Sequence, residues 1–128
     1  MVSKYEDQYC NLDLNPEIEW MVTIAKIELP PGDLMPIART YHSSTIVGEF
    51  MFVIGGEADS DLNDLCAFSF KEYQWYQPLL IDGHNFSPKR FHTATAIGNR
   101  IATFGGCHSE YIHLNDLNLF DLTDFVSK

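Results

Sequence analysis

Cationic residues are scarce in this sequence. Only 8 Lys and Arg residues accompany 18 Asp and Glu residues, which leaves a formal net charge of −10. Phosphate backbones and anionic lipid surfaces are both bound by basic protein surfaces. The shortage of cations therefore argues against binding to nucleic acid or to a membrane, and it favours a basic segment of another protein as a polar partner.

Cysteine and long apolar runs are also scarce. The three cysteines, Cys10, Cys66 and Cys107, are odd in number and form no CxxC pair, so we predict neither a disulfide framework nor a four-cysteine zinc site. No apolar run approaches the ~20 residues that span a bilayer. The first ten residues, MVSKYEDQYC, lack the apolar core of a signal peptide. These absences predict a cytoplasmic protein with reduced thiols.

Sequence signatures of catalysis are missing as well. There is no GxSxG, phosphate-binding loop or HExxH motif. The stretch EADSDLND begins with EF-hand spacing, but Asp64 and Phe70 stand where that loop needs glycine and glutamate. The stretch Cys107–His113 contains zinc-ligand residue types, although sequence proximity alone does not bring four ligands together. We therefore predict no metal site and no cofactor.

What the sequence does contain is an internal repeat of 50 residues. The segment HSSTIVGEFMFVIGG, His42–Gly56, returns without a gap as HTATAIGNRIATFGG, His92–Gly106. A proline-containing segment that ends in arginine precedes each copy, as PIAR and as PKR. The motif LNDL and an aromatic residue follow each glycine pair, as LNDLCAFSF and LNDLNLFDL. A repeat of this length is typical of propeller and solenoid architectures.

Local signals within the first copy predict a four-stranded antiparallel sheet. Small residues in Tyr41–Val47 suit an inner strand, and Gly48-Glu49 has the glycine-first order of a type II′ hairpin turn. Phe50–Ile54 is apolar on both faces, as a sheet sandwiched between two others requires. The glycine pair after it predicts unusual backbone dihedrals. The third and outer strands are predicted at Leu65–Phe70 and Trp75–Leu80, with the Trp75 indole buried between neighbouring sheets.

This combination of period and residues resembles the kelch repeat, closest in style to host-cell-factor, leucine-zipper-like regulator and Rab-effector kelch repeats. The resemblance implies an all-β fold in which four-stranded antiparallel sheets form the blades of an incomplete kelch-type β-propeller. It also implies that the recurring residues have structural roles. These residues are Arg39, His42, Gly55, Gly56, Asp64, Trp75, Arg90, His92, Gly105, Gly106 and Asp116.

The repeated histidines and arginines are interpreted as structural. A catalytic residue is normally unique within a fold, whereas His42 and His92 occupy the same position in two copies. Arg39 and Arg90 either pair with the aspartates that follow the glycine pairs or point into the propeller channel.

The repeat predicts four segments: an N-terminal tail (1–8), the last two strands of a preceding blade (9–28), one blade (29–80) and one blade without its outer strand (81–128). The two strands of the preceding blade are placed at Tyr9–Leu14 and Trp20–Glu28. Propellers typically close with 4–8 blades. Three explanations stay open: the chain is part of a longer kelch protein, copies associate into a ring, or an open sheet borrows a partner.

Strand direction predicts where a partner binds. In a blade of antiparallel strands the connections alternate between two faces, so the long segments Glu57–Asn63, Ile81–Lys89 and Cys107–His113 fall on one face. Long loops on a rigid scaffold commonly mediate recognition. We predict a non-catalytic protein-interaction module that binds another protein, through a basic peptide segment of that partner, on this face. The alternative prediction is a metal-dependent kelch-group enzyme of galactose-oxidase-like or nitrile-specifier-like type. The predicted partner-binding residues are Glu57, Asp59, Asp61, His84, His108 and Glu110.

Overall fold

The structure, a computed structural model, describes residues 22–29, 34–80 and 86–127. Antiparallel strands dominate these ranges, which confirms the predicted all-β fold. The first sheet has the order β1-β2-β3-β4, the second sheet has the order β5-β6-β9, and β7 pairs with β8 in a small hairpin. The elements are β1 (Ser43–Val47), β2 (Phe50–Ile54), β3 (Leu65–Ser69), β4 (Gln74–Tyr76), β5 (Thr93–Ile97), β6 (Arg100–Phe104), β7 (Cys107–His108), β8 (Ile112–His113), β9 (Leu117–Asp121) and the helix α1 (Thr123–Val126).

The first sheet follows the predicted strand order, with shorter strands at both edges. Strand β1 begins at Ser43 rather than Tyr41, because Tyr41 has a φ of +57° and cannot continue an extended strand. Gly48 opens the β1–β2 turn with a φ of +60°, as the predicted turn requires. Strand β4 ends at Tyr76 instead of Leu80. Pro78 lacks the N–H group that would extend the ladder.

The second sheet repeats this arrangement with one strand fewer. Where the first sheet has the bond from Phe70 N to Glu49 O, the second has the bond from Leu122 N to Asn99 O. After β9 the chain forms α1 in the described residues, in the place where the outer strand would begin. The predicted loop Cys107–His113 contains the β7–β8 hairpin, and its three tip residues all have positive φ.

The two sheets pack against each other through opposite faces. We call the side of the first sheet that bears Phe52 and its ladder partners Thr45 and Ala67 its front face. The front face of the second sheet is the equivalent side, which bears Ala102 and its ladder partners. The opposite side of each sheet, which bears the alternate residues of every strand, is its back face. The front face of the first sheet meets the back face of the second. The buried residues of this core are Val47, Phe52, Ile54, Leu65, Ala67, Phe86, Ile101 and Leu122.

The helix α1 seals one end of this core. The Phe125 ring lies 5.0 Å from the Phe50 ring and 5.7 Å from the Phe52 ring, measured between centroids. Trp75, in contrast, lies on the back face of the first sheet, 5.2 Å from the Phe68 ring. The indole is half-buried and faces away from the second sheet, so its predicted burial between neighbouring sheets does not occur between these two and stays a prediction for the back-face side.

The segment before the first sheet differs from its prediction where it is described. Residues 22–29 form neither helix nor strand, so the described part of the predicted strand Trp20–Glu28 is not a strand. Tyr9–Leu14 lies outside the described residues, and the segment boundaries given above stay predictions. No helix in the described residues is long and apolar enough to cross a membrane.

Candidate functional site

The long loops are held together by backbone hydrogen bonds between the two repeat units. We call Arg39–His42 and Lys89–His92, the four residues before each inner strand, the pre-strand segments. Lys89 N–H donates to Leu62 O at 3.0 Å, and Gly56 N–H donates to Lys89 O at 2.9 Å. The second pre-strand segment is thus bonded to the β2–β3 loop of the first sheet, which places the described end of the predicted loop Ile81–Lys89 beside that loop.

An arginine–aspartate pair fastens the base of the β2–β3 loop. Arg39 donates to both carboxylate oxygens of Asp64, at 2.6 and 2.8 Å, and to Gly55 O at 3.1 Å. Burial alone would raise the pKa of Asp64, but the hydrogen bonds and charge of Arg39 outweigh it and hold that pKa below its usual value. The bidentate geometry fixes the loop at the point where β2 ends.

The second repeat uses lysine for the same contact. Lys89 Nζ lies 2.6 Å from Asp116 Oδ2, and it also lies 4.9 Å from the centre of the Phe86 ring. The Lys89 side chain is fully buried. Lys89 is 50 residues after Arg39, so it is the structural equivalent of Arg39. The sequence analysis treated Arg39 and Arg90 as equivalent repeat positions, and the structure corrects this by one residue, to Arg39 and Lys89. Arg90 forms an ion pair with neither Asp64 nor Asp116.

Arg90 instead joins the long loops of the two units. Its guanidinium lies 2.5 Å from Glu57 and 3.6 Å from Asp61, and it stacks near the Tyr111 ring at 5.4 Å. Hydrogen bonding to Glu57 raises the pKa of Arg90 above its usual value. Ser109 N–H donates to Asp61 Oδ2 at 2.7 Å, which ties the β7–β8 hairpin to the same cluster.

His92 connects the inner strands of the two units. Its Nε2 lies 2.6 Å from Ser43 Oγ, and its ring is buried. Burial, helped by the nearby charge of Lys89, lowers the pKa of His92 to about 4, so the ring is neutral at physiological pH. Beside it, Phe91 N–H donates to Tyr41 O at 3.0 Å.

The glycine pairs have the unusual dihedrals that the sequence predicts. Gly55 and Gly56 have φ values of +57° and +99°, and Gly105 and Gly106 have values of +68° and +89°. A Cβ atom on Gly56 would lie 2.6 Å from Thr40 O, and one on Gly106 would lie 2.5 Å from the equivalent Arg90 O. Each pair therefore lets a pre-strand segment approach the end of the second strand.

The same contacts thus recur in both units: a glycine pair, a cation bound to the aspartate of LNDL, and a pre-strand segment bonded beside them. The KLHDC2/KLHL20/DRC7 Kelch-repeats domain matches residues 5–128. The chain belongs to the kelch-repeat family. The predicted family resemblance, including its likeness to host-cell-factor repeats, is confirmed.

Three relatives illustrate the range of kelch proteins that this chain resembles. The tRNA wybutosine-synthesizing protein 2/3/4 of Arabidopsis thaliana is 33% identical over 92% of the chain and 11% of its own length. The Kelch domain-containing protein 2 of Bos taurus is 28% identical over 89% of the chain and 28% of its own length. The Host cell factor 1 of Rattus norvegicus is 28% identical over 82% of the chain and 5% of its own length. The chain therefore spans less than a third of each of these relatives.

The kelch geometry divides the predicted partner-binding residues into three groups. Glu57 and Asp61 are engaged by Arg90 and Ser109, so their charges are already compensated inside the loop cluster. Asp59 and Glu110 are exposed, and His108 beside them is half-buried. His84 lies outside the described residues.

Several residues of this kelch site were not predicted from the sequence. Lys89 would have been found by applying the 50-residue spacing strictly, because that spacing assigns it to the Arg39 position. Tyr41 and Phe91 are aromatic residues 50 positions apart, so the same spacing would have identified them as equivalent. Their ring centroids lie 4.2 Å apart. The contact of Tyr111 with Arg90 has no sequence signal, because it depends on how the hairpin folds back.

Metal ligands are not grouped in the described part of this kelch chain. No three His, Cys, Asp or Glu side chains converge there on a common point. Cys66 is buried, and that burial, with the charge of Asp64, raises its pKa to about 11. The Cys66 thiol is therefore protonated at neutral pH and a poor metal ligand or nucleophile.

Proposed function

We propose that this kelch-repeat chain is a non-catalytic, cytoplasmic protein-interaction unit that binds its partner on the long-loop face. We define this face by its outward-facing residues Asp59, His108, Glu110 and Tyr111. Kelch-repeat homologues generally mediate contacts between proteins. The observation that carries the proposal is the cluster around Arg90, whose ion pairs and hydrogen bonds join the loops of both units within the chain itself. A preorganised surface loses less conformational entropy when it binds.

Charge supports a basic peptide segment as the partner chemistry. The chain has a formal net charge of −10, and the exposed carboxylates of Asp59 and Glu110 make no ion pair within the described residues. Tyr111 is 68% exposed and offers an aromatic ring beside Glu110. A lysine or arginine side chain satisfies both features, because its charged group pairs with the carboxylate and its stem or guanidinium covers the ring.

A library of random peptides displayed on phage tests this proposal. We expect selection on the immobilised chain to enrich peptides with two or more Lys or Arg residues. The double variant Asp59→Lys/Glu110→Lys should bind the selected synthetic peptide about tenfold more weakly, measured by fluorescence anisotropy. Both side chains are exposed, so the circular-dichroism spectrum should stay that of the unmodified chain.

A matched control makes the same change of charge at the opposite end of the sheets. Glu49 in the β1–β2 turn and Asp124 in α1 are also exposed, so Glu49→Lys/Asp124→Lys adds the same positive charge away from the long-loop face. We expect this control to weaken binding much less. Equal loss of affinity in the two double variants, or selection of peptides without basic residues, would contradict the proposed face.

The rival function is catalysis by a metal-dependent kelch enzyme. The Arabidopsis relative carries an enzymatic name, although the chain spans only 11% of it. Within residues 22–29, 34–80 and 86–127, the ligand residue types are dispersed and the Cys66 thiol is protonated, which favours a non-catalytic unit over a copper, iron or zinc site in this part of the chain. Elemental analysis of the purified chain distinguishes the two functions. Copper, iron or zinc present at one equivalent per chain would overturn the non-catalytic proposal.

A further inference from the structure

The front face of the second sheet is apolar and open to solvent. Its positions are equivalent to those of the first sheet's front face, which the second sheet covers. Val47 is 2% exposed, whereas its equivalent Ile97 is 60% exposed; Ile54 is 0% exposed, whereas its equivalent Phe104 is 54% exposed. The repeat therefore places a second apolar face at the equivalent positions. Its exposed large apolar residues are Ile97, Phe104, Leu117 and Leu119.

Polar groups border this open face at the same positions as in the covered one. In the covered interface, the first sheet contributes the Ser43 hydroxyl, Tyr41 O, Gly56 N–H and Leu62 O, and each of them bonds to the second pre-strand segment. None of their equivalents makes a hydrogen bond within the described residues. These equivalents are the Thr93 hydroxyl, Phe91 O, Gly106 N–H and Leu114 O.

The matching groups are present on the other side of the same chain. The first pre-strand segment has the conformation of the second, with a φ of +57° at Tyr41 and +59° at Phe91. Its His42 ring, Tyr41 N–H and the backbone N–H and C=O of Arg39 make no hydrogen bond in the described part of the chain. On the back face of β1, the strand that follows this segment, Ile46 is 60% exposed.

We propose that the open front face of the second sheet docks the first pre-strand segment and β1 of a second copy of this chain. His42 of that copy then bonds to Thr93 as His92 bonds to Ser43, and Tyr41 N–H donates to Phe91 O. The docking continues the interface that already joins the two sheets. It lies on the sheet face and is separate from the long-loop face.

Small residues line the inner part of this docking. In the internal interface the half-buried Ala94, on the back face of β5, packs against the core that contains Phe52. Between copies, Ala102 takes the place of Phe52 and Ser44 takes the place of Ala94, while the larger Ile46 takes the place of the exposed Ala96. The contact is confined to the inner part of the back face, since Val53, Cys66 and Phe68 farther out are already buried. The salt bridges of Arg90 have no counterpart, because its equivalent is Thr40.

The geometry is heterologous, so each copy has one donor face and one acceptor face. Such contacts generate a ring when the rotation closes and a filament when it does not. The smaller contact and the missing salt bridges favour a dissociation constant in the micromolar range, roughly 10 μM. Sedimentation velocity from about 1 to about 200 μM chain should therefore show mass that grows with concentration.

Single charges on each face should block this growth. We expect Ile97→Glu, on the front face of the second sheet, to keep the chain monomeric, and we expect the same of Ile46→Glu on the back face of the first. Leu79→Glu introduces the same charge at a residue that is 87% exposed and belongs to neither face, so it should associate like the unmodified chain. Circular dichroism confirms that each variant keeps its sheets.

Mixing the two blocked variants identifies the head-to-tail arrangement. The Ile46→Glu chain retains an intact front face and the Ile97→Glu chain retains an intact back face, so an equimolar mixture should give a dimer and nothing larger. A two-fold dimer that joins identical faces would not be restored by mixing, and that result would overturn the proposal. A monomeric unmodified chain over the whole concentration range would also overturn it.

Discussion

At the scale of single residues, the two repeat units use the same positions with different side chains. Arg39 and Lys89 both bind the aspartate of their LNDL motif, but only Arg39 does so with two hydrogen bonds and a contact to a glycine carbonyl. His92 is buried against Ser43, whereas His42 at the same repeat position is exposed. A residue's role in this fold therefore depends on whether a neighbouring unit covers it.

The neutral, buried His92 predicts a specific loss of stability in mild acid. Its pKa is about 4 in the folded chain and about 6.5 in the unfolded chain. The unfolded chain therefore takes up the proton first, and stability that is fully present above pH 6.5 is lost as the pH falls toward 4. Between pH 7 and pH 4.5 we expect His92 to account for a loss of about 2 kcal/mol in the free energy of unfolding, measured with urea at each pH.

The variant His92→Gln is the control for this prediction. Glutamine does not titrate, and its amide can still bond to Ser43, so the loss between pH 7 and pH 4.5 should become much smaller. The carboxylates of Asp64 and Asp116 have lowered pKa values in the folded chain, so their contribution is lost only at still lower pH. An unchanged pH dependence in His92→Gln would show that another group is responsible.

At the scale of elements, turns and chain approaches decide where each strand begins and ends. The β1–β2 and β5–β6 turns and the glycine pairs all contain residues with positive φ. The turn glycines Gly48 and Gly98 have open space where a Cβ would be, whereas Gly55 faces Lys89 O at 2.7 Å. The glycine of the turn is thus required by dihedral angle alone, and the glycine that ends β2 is required by close packing too.

Two alanine substitutions separate these requirements. Gly55 and Gly98 have nearly equal φ values of +57° and +56°. We expect Gly98→Ala to lower the free energy of unfolding by about 1 kcal/mol, the cost of the left-handed conformation. Gly55→Ala should lower it by about 3 kcal/mol, because the added methyl also displaces the second pre-strand segment. Equal losses in the two variants, measured by urea unfolding, would contradict the close approach at Gly55.

At the scale of the whole molecule, one core joins the two sheets and α1. The helix has only four residues, so packing rather than its own hydrogen bonds must hold it. Phe125 supplies that packing through Phe50, Phe52 and Tyr76 of the first sheet. The C-terminal segment thereby clamps the second repeat unit to the first.

Removing this aromatic contact should loosen the whole molecule. We expect Phe125→Ala to lower the free energy of unfolding by about 2 kcal/mol, because the half-buried ring loses its contacts with three aromatic side chains. Leu79→Ala, at a residue that is 87% exposed, is the control and should change stability by less than about 0.5 kcal/mol. A loss no greater than that of the control would show that α1 does not stabilise the core.

The sequence by itself determined the repeat unit. The 50-residue spacing, the glycine-first turns and the glycine pairs predict two antiparallel sheets, and these features are local because backbone conformation at a turn depends on a few neighbouring residues. The same locality explains why β2 was placed correctly. It also explains the kelch assignment, since the residues that identify the family recur at fixed intervals.

Only the tertiary structure decided which charges are available for binding. Glu57 and Asp59 are both acidic and only two residues apart, yet Arg90 neutralises the first and leaves the second exposed. Likewise, no local pattern shows that α1 replaces an outer strand or that Trp75 faces away from the second sheet. Each of these outcomes depends on side chains from distant parts of the chain meeting in space, and the energy of those contacts is not encoded in the spacing of any one segment.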